Sequence, residues 1–157
     1  MIWAGFVLGG VAPSAHSKRH ANETSMVAPM AMIVVVDGNN VIGTVPDGWW
    51  RDRPAAARRL LARLQRLHAR TGDELILVLD VVDPELPEGE HNGVTVRYAR
   101  RRGRDAADDR IRELVAELDD APLEVVTSDR ALAADIRPPA TVVSAKRFLT
   151  RLDEAGC

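Results

Sequence analysis

Acids stand at the ends of the apolar runs in this chain. Asp37 directly follows residues 32–36, Asp80 directly follows 75–79, and Asp129 lies just beyond 123–126. Asp105, Asp108 and Asp109 cluster where a helical pattern begins. In an open parallel sheet, ligands bind beyond the carboxyl ends of the strands, so acids at those ends converge on one region. Carboxylates gathered in one pocket repel each other unless a cation neutralises them. Hard oxygen donors favour Mg²⁺ or Mn²⁺ over zinc. The chemistry this placement points to is a divalent cation held among carboxylates. Each acid also has a plainer reading. Asp37 can shape an Asp-Gly turn, Asp80 can end a strand, Asp108 and Asp109 can face a helix dipole, and Asp129 can be an N-cap.

The elements that must position these acids follow from the apolar periodicity. Residues 32–36 and 75–79 are nearly continuous apolar runs, the mark of strands buried on both faces. The first ends at the turn-forming cluster Asp37-Gly38-Asn39-Asn40. Asp52 and Pro54 open a helix whose apolar face is Leu60, Leu61, Leu64 and Leu67, and Thr71-Gly72 stops it. Val94, Val96 and Tyr98 alternate as a third strand; residues 105–118 place Ile111, Leu114, Val115 and Leu118 at helical spacing. Residues 123–126 predict a fourth strand, a short helix follows, and 141–143 predict a fifth. Ser144 caps a last helix carrying Phe148, Leu149 and Leu152. The polar stretch 83–93 is expected as a surface loop. Strands alternating with helices at this spacing predict an α/β fold, a mostly parallel five-stranded sheet with helices on both faces.

Composition narrows the remaining choices. At 157 residues the chain has room for one domain of ordinary size. A lone cysteine, Cys157, excludes an intrachain disulfide and a cysteine-based zinc site, and His16, His20, His68 and His91 show no ligand spacing. The net charge of −2 excludes a polycation that coats nucleic acid non-specifically. No apolar stretch reaches the ~20 residues of a membrane span, and a cytoplasmic protein is expected. Residues 1–31 read differently from the rest. Their apolar start suggests a secretory signal, but no Lys or Arg precedes it, and cutting after Ala15 puts Pro13 at the minus-three position. A disordered leader or a mis-assigned start at Met26, Met30 or Met32 is the preferred reading, leaving 32–157 as the domain.

The segments MIVVVDGNNVIG, DGWWRDRP, LILVLD, DAADDRI and EVVTSDR, in that order, resemble the YacP-like NYN-domain family of the PIN-like nuclease superfamily. The resemblance runs from about Met32 to Leu152. It implies a three-layer α/β/α, Rossmann-like PIN fold, a Mg²⁺ or Mn²⁺ site, and endonucleolytic cleavage of RNA. Carried onto this sequence, it makes Asp37, Asp80, Asp108 and Asp129 the catalytic carboxylates, with Asp109 as a further metal ligand or stand-in for Asp108. Asn40 matches the motif asparagine that orients a carboxylate or phosphate, and Ser128 is a hydroxyl beside Asp129.

Phosphodiester hydrolysis needs an activated water, a neutralised phosphate and a stabilised leaving oxygen, all of which divalent cations can supply. No histidine is placed to act as general base. Arg59, Arg63, Arg66 and Arg70 recur at helical spacing and read first as a solvated face. Arg100, Arg101, Arg102 and Arg104 lead directly into the acidic helix start and are the candidates for phosphate contact. Trp49 and Trp50 can stack on bases or lock their loop to the core. Two other readings stay open: a non-catalytic RNA-binding or interaction module of this fold, and a phosphatase or phosphotransferase. The second would normally carry an acid two residues after its nucleophile, where this chain has Asn39.

Overall fold

The computed structural model describes residues 31–157; the expected leader lies outside the described residues save for Ala31. The order of elements is β1 (Ile33–Asp37), α1 (Gly38–Thr44), a 3₁₀ turn (Trp49–Arg51), α2 (Arg53–Thr71), β2 (Glu74–Leu79), β3 (Gly89–His91), β4 (Val94–Tyr98), α3 (Ala106–Glu117), β5 (Leu123–Val126), α4 (Arg130–Asp135), β6 (Thr141–Val143) and α5 (Ala145–Glu154). The strands form one sheet in the order β3-β4-β2-β1-β5-β6, parallel except for β3.

Helices cover both faces, as alternation along β1 requires. Val34 and Val36 point into a core shared with Leu60, Leu64 and Leu67 of α2 and with Phe148 and Leu152 of α5. Val35 points the other way, to Ile111 and Leu114 of α3 and Leu132 of α4. The chain leaves β1 for β2 on one side and reaches β5 on the other, so strand order reverses at β1 and opens a crevice at its carboxyl end.

Two elements correct the expectations. The sheet has six strands, not five, because the stretch expected as a loop contains β3. Asn92 (φ 50) and Gly93 (φ 84) form a two-residue turn that folds β3 back antiparallel onto β4. A side chain at Gly93 would also strike the ring of His68, 2.0 Å from its Cδ2. Burial gives no hint of β3, whose residues are at best half-buried; the hairpin signal is the Asn-Gly pair itself. The second correction concerns Asp37-Gly38-Asn39-Asn40, which is the start of a helix rather than a turn. Asp37 is the N-cap of α1, and Val41 anchors that short helix in the core.

Candidate active site

Asp37 is the last residue of the central strand and the first support of α1. Its Oδ1 accepts from the Asn40 backbone N–H at 3.2 Å, and its Oδ2 accepts from the Thr127 hydroxyl at 3.0 Å. Only 4% of the residue is exposed. Burial raises its pKa from 3.8 to about 6, against the two hydrogen bonds and with the charges of Asp108 and Asp129 adding to the rise.

Thr127 follows β5 and ties two acids together. Its hydroxyl donates to Asp37 and accepts the Asp129 backbone N–H at 3.1 Å. Asp129 in turn caps α4, its Oδ1 accepting from Leu132 N–H at 2.9 Å. Asp80 follows the last residue of β2. Asp108 sits in the first turn of α3, where burial and the charge of Asp129 push its carboxyl above the usual range.

These four acids line one open cleft of about 330 Å³, with Asn39, Asn40, Arg104 and Asp105 around it. Among the described residues none of Asp37, Asp80, Asp108 or Asp129 is in an ion pair. The cleft therefore concentrates negative charge that no ion pair among the described residues neutralises, although Arg104 lines it and the charge of Arg112 offsets part of the rise at Asp108. An oxygen-only donor set under this mutual repulsion fits Mg²⁺ or Mn²⁺. Among the described residues no three His, Cys, Asp or Glu side chains are gathered into a ready metal cage; the acids ring the cleft instead.

Other residues singled out from sequence stand elsewhere. Asp109 is not on the cleft: Arg101 and Arg112 hold it, and the Arg101 contact keeps its carboxyl below the usual range. Neighbouring residues on a helix diverge by about 100°, so Asp108 and Asp109 cannot face one ion equally. Asn40 lines the cleft, yet its Oδ1 is spent accepting the Ser128 backbone N–H at 2.8 Å. Ser128 is not among the lining residues, and its hydroxyl accepts from Ala145 N–H at 2.9 Å. Arg100 pairs with Glu113 and Arg101 with Asp109, whereas Arg102 and Arg104 are exposed and in no ion pair among the described residues. Arg100, Arg101 and Arg102 line a groove that meets the acidic cleft at Asp80.

Two residues at the site, Asn39 and Thr127, had no role assigned from sequence, and Asp105 had been placed only in the acid cluster at the helix start. Asp105 adopts a left-handed backbone, φ 63, at the entry to α3. Thr127 carried one available signal, a hydroxyl two residues before an acid at a strand end. Thr127→Val is expected to cost about 1–3 kcal/mol in chemical denaturation, because it strands both the Asp129 N–H and Asp37 Oδ2. A variant as stable as the parent would show that the bridge is dispensable.

The YacP-like NYN domain matches residues 34–156. The chain belongs to this family. The YacP-like NYN domains form a family of PIN-like nucleases. The crystal structure of Rae1 (YacP) from Bacillus subtilis superposes on this YacP-like domain with a TM-score of 0.63 at 27% identity, over 79% of this chain and 75% of that one. A tryptophan-to-leucine mutant of the same protein gives 0.66 at 25% identity, over 79% and 76%. No curated protein matches the chain in sequence. Among the described residues no helix is long and apolar enough to cross a membrane.

Proposed function

We propose that the cleft is the catalytic centre of a divalent-metal-dependent endoribonuclease, acting on RNA in the cytoplasm. One observation carries the reading: four carboxylates, in no ion pair among the described residues, converge at the carboxyl edge of the sheet in a chain of a PIN-like nuclease family. Asp37, Asp80, Asp108 and Asp129 are the side chains that would hold Mg²⁺ or Mn²⁺. The bound ion would neutralise the phosphate and make water more acidic. The protein's own part is to fix the donors. Thr127 and the Asn40 N–H hold both Asp37 oxygens in place, and the α4 cap holds Asp129. Among the described residues no histidine lines the cleft, so its aspartates are the side chains there able to accept a proton. Arg102 and Arg104 offer uncommitted guanidiniums for the polyanion.

The test is cleavage of end-labelled single-stranded RNA with Mg²⁺, Mn²⁺ or EDTA. Internal cuts with either ion and none in EDTA are expected. Cutting that survives EDTA would overturn the metal requirement, and no cutting under any condition would overturn the enzyme.

The arginines add a salt prediction. A double variant, Arg102→Gln with Arg104→Gln, is expected to weaken RNA binding and lower the slope of log K against log salt by about 1.4, at ~0.7 per lost single-strand phosphate contact. An unchanged slope would return both arginines to the solvated surface.

A further inference from the structure

A second pocket, walled in part by Trp49, abuts the acidic cleft. Trp49, Ile42, Pro54, Ala57, Leu79, Val81 and Val82 supply its apolar lining, and Asn39 and Asp80 belong to both the pocket and the cleft. Its surroundings are unusual for a surface facing water. Val81 and Val82 are 53% and 62% exposed, directly after Asp80, and Trp50 is 60% exposed. These three are among the few large apolar residues, of those described, that the fold leaves open to water.

We propose that this pocket holds one nucleobase of the RNA strand that crosses the cleft. The proposal rests on the ribonuclease reading and adds to it a base-binding subsite next to the scissile phosphate. Three features select a base as the occupant. First, the shared wall at Asn39 and Asp80 leaves the pocket adjoining the acids, so a nucleotide whose phosphate lies in the cleft has its base within reach of the pocket. Second, the lining combines an indole with aliphatic side chains, the surface on which bases stack. Third, one lining residue is a cation set against the indole, Arg53, beside the acids Asp80 and Asp83. The Arg53 guanidinium lies 5.2 Å from the Trp49 ring centre and that of Arg51 lies 6.0 Å from the Trp50 ring centre, and neither is in an ion pair among the described residues. A nucleotide whose phosphate lies in the cleft meets the Arg53 guanidinium at this pocket. Asn39, on the wall shared with the cleft, carries both a donor and an acceptor with which to read the edge of the base.

The experiment uses single-stranded RNA in which one abasic ribose is walked through the positions flanking the cut. Binding is measured on the Asp37→Asn chain with Mg²⁺ present, and cleavage on the parent. One position is expected to lower affinity about tenfold, the loss of one stacked base, while its neighbours change it little. Trp49→Leu, which keeps the pocket apolar, is expected to erase that positional penalty. Val82→Ser, at an exposed site where folding is not at stake, is expected to reduce it, and thermal melts check that both variants fold. Uniform tolerance of abasic sites by a chain that still binds and cuts RNA would overturn the pocket and leave the ribonuclease reading standing. A chain that neither binds nor cuts RNA would overturn both. Should Val82→Ser change only the oligomeric state, the apolar rim is a protein contact and the base subsite is overturned.

Discussion

Asp37→Asn is expected to lower the rate of RNA cleavage on the order of a thousandfold, and to do so without unfolding the chain. Asparagine keeps the shape and can still accept the Asn40 N–H, while the Thr127 hydroxyl can turn to accept from the new amide. What it lacks is the charge that would hold a cation. Stability should move in the opposite direction. The folded pKa of about 6 lies above the 3.8 of an unperturbed aspartate, so the native state takes up its proton first as the pH falls. Above pH 6 the buried charge therefore costs stability, on the order of 2–3 kcal/mol, since each pH unit between the two values corresponds to ~1.4 kcal/mol. Without added metal, the parent should gain stability as the pH falls from 7.5 towards 4.5, and the variant should lose most of that pH dependence. At pH 7.5 the variant should melt at or above the parental temperature, and Mg²⁺ should raise its melting point less than it raises the parent's. Cleavage at the parental rate by the purified variant would remove Asp37 from the mechanism. A stability loss with activity intact would make it a helix cap and nothing more.

Gly38→Val should be the most damaging single substitution near the site. A Cβ at Gly38 would sit 2.7 Å from Leu79 Cδ2, 2.8 Å from the Val78 backbone oxygen and 2.9 Å from Leu77 Cδ1. The leucine ends can shift, but the Val78 carbonyl belongs to β2, beside the central strand. α1 must then move off the sheet, taking its Asp37 cap with it. Overpacking that forces backbone shifts costs about 1–3 kcal/mol, and the Val78 carbonyl puts this site at the upper end. Urea denaturation should show that loss, with cleavage falling further than the folded fraction alone explains. A variant with parental stability would mean that α1 has room the structure does not display.

Much of the candidate cleft's lining was legible because a buried parallel strand announces its own end. Asp37 and Asp80 each close an apolar run, Asp129 lies just beyond another, and the sheet's geometry carries those ends to one edge. From the pattern alone the helix start was legible only as a region; the family resemblance singled out Asp108, with Asp109 as a further ligand or stand-in. Choosing between Asp108 and Asp109 needs the rotation of α3, which is set by Ile111 and Leu114 packing on the sheet, and by the arginines that draw Asp109 aside. Helix α1 was missed because Gly38, Asn39 and Asn40 are poor helix formers; the Asp37 cap and buried Val41 override that preference. Strand β3 was missed for the converse reason. It buries almost nothing, and only the Asn92-Gly93 turn marks it. The engaged amide of Asn40 and hydroxyl of Ser128 were beyond reach, since both depend on which chain segments meet across β1 and β5.

The central place of β1 has a consequence for how the molecule comes into being. A ribosome delivers the middle of this sheet first and its neighbours on the two sides at very different times. The hydroxyl that holds Asp37 arrives 90 residues later along the chain. A half-made chain, or one cut by a protease between β2 and α3, carries Asp37 and Asp80 but neither Asp108 nor Asp129. The carboxylate set is thus complete only in a chain whose sheet has closed on both flanks, and no fragment ending before α3 contains it.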